Sequence, residues 1–259
     1  MKLAFTTLAC PSWSLERVAE ACREYGYDGV ELRLVDGATI EPDLATAERR
    51  RIRSALAGLP IVAVDTSIRL AAADPEPTGA DLRWFLELAA EWESPLIRVF
   101  GGEGGATLDE MAGLLASAAP LAERLGVGIA VETHDAFSSA ETVADLLARV
   151  SSPKVGALWD VLHTHRVGET PEAVIAMLGG RLLHVHVKDG RPRPDSADWE
   201  LVLLGEGTVP VERSLRAVAA GDYDGWVAVE WEKKWHPEIA EPEVALPQHA
   251  AALREPEGA

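Results

Sequence analysis

The chain has 259 residues, 47% of them hydrophobic, enough for one large α/β core or two small ones. It carries 42 acidic against 24 basic residues, a formal net charge of −18 with no Lys/Arg stripe to offset it, which argues against nucleic acid or an anionic membrane as a partner. Only Cys10 and Cys22 occur, so no disulfide framework or Cys-based metal site is expected; without a bilayer-length apolar run or a secretory h-region, the expected address is cytoplasmic.

Short β-branched runs alternate with amphipathic stretches. The predicted strands are 2–8, 29–33, 61–66, 96–100, 128–133, 155–160, 182–187 and 226–231. The predicted helices are 14–25, 43–57, 78–92, 107–125, 138–150, 170–178, 211–219 and 242–254, several opened by cap signals such as Ser12/Ser14, Asp43, Thr107 and Thr170-Pro171-Glu172. Strand starts recur at the length of one βα unit and no Pro/Ser-rich linker divides the chain, so the expectation is a single-domain (β/α)8 TIM barrel over 1–259, with its active site at the C-terminal strand ends. An open doubly wound sheet would want a glycine-rich turn after the first strand, and ACPSWS is not one. The tail REPEGA reads as a solvated end.

The last four predicted strands finish on carboxylates and imidazoles: AVETHD at 130–135, ALWDVLH at 157–163, HVHVKD at 184–189 and VEWE at 229–232. Side chains alternate along a strand, so Glu132 shares a face with His134, His184 with His186 and Lys188, and Glu230 with Glu232. Four successive strands can thus aim Glu132, Asp160, His186 and Glu230 at one point. Three carboxylates so close raise one another's pKa steeply unless a cation intervenes, and few residues of opposite sign lie along those strands. One divalent metal resolves the conflict: this donor set suits Mn²⁺ or Mg²⁺ and tolerates Co²⁺, Fe²⁺ or Zn²⁺. His184, two residues earlier, reads as a barrel-interior imidazole. Lys233 and Lys234 are expected to pair with Glu232 or Glu238 in water. GGEGG at 101–105 reads either as a loop tip or as a place where backbone approaches a ligand. In LGEGTVP at 204–210 the central Glu206 argues against a phosphate cradle.

GYDGVELR at 26–33, VETHD at 131–135, Asp160-x-x-His163, HVHVKDG at 184–190 and VEWEKKWHPE at 229–238 together resemble the xylose-isomerase-like superfamily of TIM barrels, and within it the sugar phosphate isomerase/epimerase group. That group includes ketose 3-epimerases, hydroxypyruvate isomerases and inosose isomerases and dehydratases. The resemblance implies a metal held by Glu132, Asp160, His186 and Glu230. It also implies that Glu132 and Glu230 are the catalytic acid/base pair, moving a proton through a metal-stabilised enediolate of a ketose or keto-sugar. His134, His163, Lys188 and Arg191 are the substrate-binding candidates, with Glu31 and Arg98 as further pocket residues and Trp13, Phe100 and Trp159 as an apolar wall. The alternatives are a lyase acting on an inosose, 3-keto sugar or 3-keto glycoside, a non-catalytic binding subunit, and an endonuclease-like hydrolase. The acidic charge and the missing extra histidines speak against the last. The partner expected is a small sugar, and the resemblance implies a homo-oligomer, with Trp231, Trp235 and His236 at a pocket edge or an interface.

Overall fold

The structure, a computed structural model, describes residues 1–72, 74–194 and 198–254, so most of the tail, 255–259, lies outside the described residues. Eight parallel strands close into a barrel: β1 (Lys2–Thr6), β2 (Gly29–Leu32), β3 (Ile61–Arg69), β4 (Leu96–Phe100), β5 (Gly128–Glu132), β6 (Val155–Asp160), β7 (Leu182–Val187) and β8 (Trp226–Val229). Each pairs with the next, and β1 pairs with β8 in the register Phe5↔Val229. The outer helices are α1 (Leu15–Tyr25), α2 (Thr46–Ala55), α3 (Pro75–Glu91), α4 (Leu108–Leu125), α5 (Ala140–Leu147), α6 (Val161–Arg166), α7 (Pro171–Leu178), α8 (Val211–Ala220) and α9 (Pro242–Arg254). Two short hairpins, Leu34–Val35 with Ala38–Thr39 and Asp189–Pro192 with Trp199–Val202, decorate the strand ends.

Local chemistry explains most boundaries. Ser14 accepts from the Arg17 amide to start α1, which stops at Gly26 in the left-handed region, φ 82°. Thr107 and Glu110 form a reciprocal capping box on α4. The predicted start of α3 is three residues late: Asp74 caps it and Pro75 opens it, because a proline in the first turn gives up no helical hydrogen bond. Asp43 does not cap α2, since a Glu41–Leu44 turn precedes it. Strand one ends at Thr6, where Thr7–Ala9 tightens into a 3₁₀ turn, and strand eight ends at Val229, although the Glu230 amide still donates to the Val187 carbonyl at 3.1 Å. Helix α6, which no periodicity announces, is capped by Asp160 of the D-x-x-H motif and carries its His163.

The main core lies between the barrel and its helices, while smaller groups, Ala63, Leu96, Ala130 and Leu158, then Ala4, Val62 and Ala228, form clusters of their own. Ala130 precedes Glu132 by two residues on β5 and Ala228 precedes Glu230, so these alanines share the faces of the two glutamates and leave room for longer polar side chains. Register shifts at Val30/Glu31, Asp65/Arg69 and Ala157/Leu158 re-aim side chains at that level. Among the described residues, no helix is long and apolar enough to cross a membrane.

Candidate metal centre

Glu132 and Asp160 end β5 and β6, His186 is the penultimate residue of β7 beside Asp160, and Glu230 follows β8. One donor atom from each of the four lies within 4.8 Å of the others, and all four residues are buried. His186 Nδ1 stands 3.6 Å from Glu132 Oε1 and 3.5 Å from Glu230 Oε1. Both Glu132 oxygens, Asp160 Oδ2 and His186 Nδ1 are buried with no well-aligned hydrogen-bond partner. Leaving such atoms unpaired is costly, and an oxygen-rich set with one imidazole is the donor chemistry of a divalent cation, so these residues fit one.

Asp160 serves two purposes. Its Oδ1 accepts from the amides of Leu162 at 2.9 Å and His163 at 3.1 Å, capping α6, while Oδ2 faces the cluster. The expectation that few cations accompany the carboxylates is corrected by the fold. Arg98 from β4 places Nε 3.3 Å from Glu132 and 3.5 Å from Asp65, and Lys188 Nζ is 3.0 Å from Asp160, 2.5 Å from Glu232 and bonded to Glu230. Burial would raise the Glu132 and Glu230 carboxyls; Arg98 outweighs it for Glu132, and Lys188 with His186 holds Glu230 well below the usual range. At Asp160 burial, reinforced by the other carboxylates, outweighs Lys188 and pushes the group up to about 7. Burial and then Lys188 push His163 well down, so its imidazole is neutral.

His134 and His163 meet edge to face with ring centroids 4.5 Å apart, and Phe100 lies 4.7 Å from His134. His163 Nε2 is buried without a partner, and His134 Nδ1 is 2.9 Å from Asp135 Oδ1. Lys188 belongs to the centre, but Arg191 does not join it: its side chain is half-exposed and pairs with Glu200 at 3.1 Å. It lines a separate cavity of about 660 Å³ between the longer hairpin and the 231–240 segment, with Arg193, Glu206, Trp231 and Glu238. Trp159 is no pocket wall, since alternation turns it away from Asp160 and its indole donates to Thr164 Oγ1 at 2.8 Å inside the outer core. Trp13 donates to Glu243 at 3.1 Å. Trp231 is buried and bonded to the Ala240 carbonyl, whereas Trp235 is 51% exposed.

Lys233 and Lys234 do not pair as expected. Lys233 Nζ donates to the Pro237 and Ile239 carbonyls and meets Glu241, and Lys234 Nζ donates to the Gly37 carbonyl. Glu232 pairs instead with Lys188 and, at 3.6 Å, with His236 Nε2, and a carboxylate two residues beyond Glu230 on one face was the available signal. Asp65 is a fully buried acid in an apolar strand that carries no motif, although its position in VAVDTS marks it. In the loop 101–105 two glycines approach protein closely, while Gly105 faces open space: a Cβ on Gly101 would meet the Phe137 ring at 2.2 Å and one on Gly104 the Ala71 carbonyl at 1.8 Å. Asp189, the first residue of the longer hairpin, accepts from the amides of Gly190, Gly205, Gly207 and Val209 at 2.8 to 3.1 Å, a role with no local sequence signal.

Residues 19–255 match the model of the xylose isomerase-like TIM barrel family, and the chain belongs to that family. Among curated proteins it is 27% identical over 114 residues to fructoselysine 3-epimerase of Escherichia coli O157:H7, an alignment covering 42% of this chain and 40% of that protein. It is 28% identical over 137 residues to inosose dehydratase of Clostridium botulinum (strain Alaska E43 / Type E3), covering 47% and 45% respectively. The chain thus spans less than half the length of the curated relatives it matches. Among solved structures, the IOLI protein with a zinc atom superposes with a TM-score of 0.80 at 19% identity, covering 98% of this chain and 96% of that one, a likeness of fold.

Proposed function

We propose that the protein is a divalent-metal-dependent isomerase or epimerase of a ketose or related keto-sugar, working by proton transfer between Glu132 and Glu230. The observation that carries this reading is the convergence of two buried glutamates with Asp160 and His186, where both Glu132 oxygens, Asp160 Oδ2 and His186 Nδ1 have no well-aligned hydrogen-bond partner. Glu132, Asp160, His186 and Glu230 would hold the ion, with Mn²⁺ or Mg²⁺ best suited to three carboxylates and one imidazole. When bound, the ion supplies a Lewis-acid charge that lowers the cost of negative charge developing on a substrate carbonyl oxygen.

The chain's own residues handle the proton. A carbon beside the carbonyl, held between the glutamates, loses its proton to one carboxylate. The electron pair of that C–H bond forms the double bond of an enediolate, and the other glutamate returns a proton. Return to the opposite face of the same carbon yields an epimer; return to the former carbonyl carbon, with the adjoining hydroxyl's proton passing to the former carbonyl oxygen, yields an isomer. Arg98 and Lys188 keep Glu132 and Glu230 ionised and able to act as bases. The unpartnered His163 Nε2 would bond a substrate hydroxyl, with Phe100 and His134 as the wall beside it.

A non-phosphorylated substrate is supported by Asp189. In many barrels amides near strand seven hold a phosphate, but here those of Gly205, Gly207 and Val209 are spent on an internal carboxylate. A second reading, favoured by the similarity to inosose dehydratase, is a lyase in which the same enediolate expels a β-hydroxyl as water. Proton NMR in D₂O, with free ketoses, inososes and 3-keto glycosides added to metal-stripped and Mn²⁺- or Mg²⁺-reconstituted protein, tests both. Deuterium is expected at one carbon only in the reconstituted sample, and product connectivity separates epimer, isomer and dehydrated product. Exchange that is indifferent to chelation would sink the reading.

A further inference from the structure

Glu31 stands outside the four-residue set, and its contacts tie it to one member of that set. It is the third residue of β2, fully buried, at the register shift between Val30 and Glu31. Its Oε1 lies 2.7 Å from His186 Nε2 and its Oε2 3.0 Å from His184 Nε2, so one carboxylate bridges two imidazoles from β7. The two rings are edge to face, their centroids 5.4 Å apart. The opposite nitrogen of His186, Nδ1, faces Glu132 and Glu230 and has no hydrogen-bond partner.

An imidazole can present a lone pair to a cation from one nitrogen only if its proton sits on the other, and a carboxylate behind the ring decides which. From this geometry, and resting on the proposed function, we infer that Glu31 is a positioning residue that keeps the His186 proton on Nε2 and aims the Nδ1 lone pair into the centre. His184, which shares the carboxylate, locks it in place by occupying the second oxygen. Glu31 touches none of the reacting atoms in this scheme and acts through His186. A separate cation site built from Glu31, His184 and His186 is disfavoured, because the nitrogens facing Glu31 already use both of its oxygens in hydrogen bonds.

The test is Mn²⁺ affinity, read from the free-ion EPR signal, for wild type, Glu31→Gln, Glu31→Leu and the ligand variant Glu132→Gln. Thermal melts in chelator establish that each is folded. Glu31→Gln keeps one neutral acceptor and is expected to weaken binding about 10-fold, and Glu31→Leu, which keeps none, about 100-fold. Nitrogen-15 spectra of histidine-labelled, Zn²⁺-loaded wild type are expected to show one metal-bound imidazole protonated at Nε2. If Glu31→Leu is folded and binds Mn²⁺ as wild type does while Glu132→Gln has lost it, the role of Glu31 is wrong and the metal centre stands. A metal-bound ring carrying its proton on Nδ1 would overturn the role of Glu31 in the same way. If wild type binds no divalent ion, both readings fall together.

Discussion

At the scale of single residues, each glutamate of the proposed pair has one task that an amide cannot perform. Glu132→Gln and Glu230→Gln are expected to lower deuterium exchange by at least about 10²- to 10⁴-fold while the metal-free protein still melts cooperatively. Exchange at the wild-type rate in either variant would remove it from the mechanism. Asp189 makes a different prediction: replacing it with alanine strands the amides of Gly205, Gly207 and Val209, which is expected to cost about 2–4 kcal/mol by urea denaturation. The four convergent donors were legible because a carboxylate or imidazole after an apolar run is out of place unless something holds it there. Lys188 and Arg98 were legible as pocket candidates but not as partners of these carboxylates, since the pairs cross between strands, and nothing local in GYDGVELR shows that Glu31 reaches histidines more than 150 positions later.

At the scale of elements, the strand period announced all eight staves, and the errors fall where a side chain rather than a period sets the boundary. Asp74 with Pro75 lengthens α3, and the Asp160 side chain creates α6 from a stretch too short to show helical periodicity. The close packing of β6 against the turn that leads into β7 can be tested at Gly156, where a Cβ would stand 2.2 Å from the Arg181 carbonyl oxygen; Gly156→Ala is expected to destabilise by about 1–3 kcal/mol. Helix α9 carries a second test. His249 is buried against the Trp231 ring, and burial pushes its imidazole down to about 3 from 6.5. Between these values the unfolded chain binds a proton that the folded protein refuses. Its contribution is therefore complete above pH 6.5 and is lost as pH falls towards 3, by at most about 1.4 kcal/mol per pH unit. Urea midpoints of wild type and His249→Asn at pH 7.5 and 5.5 should show a shallower decline in the variant, and equal slopes would contradict it.

At the scale of the whole molecule, an ion held by Glu132, Asp160, His186 and Glu230 would tie four strands to one point. Mn²⁺ at about one hundred times its Kd is expected to add about 2.7 kcal/mol of stability, seen as a rise in Tm that Glu132→Gln abolishes. Closure of the barrel has a consequence for how the chain reaches this state. Lys2–Thr6 completes the ring by pairing with Trp226–Val229, so the first of the eight barrel strands in chain order is paired on its β8 side by the last of them. Until then one row of its backbone amides and carbonyls is an open edge, free to pair with another chain. Joining segments so far apart also makes the final step slow. Refolding yield is therefore expected to fall with protein concentration, as nascent edges find each other before their own C-terminal partner arrives.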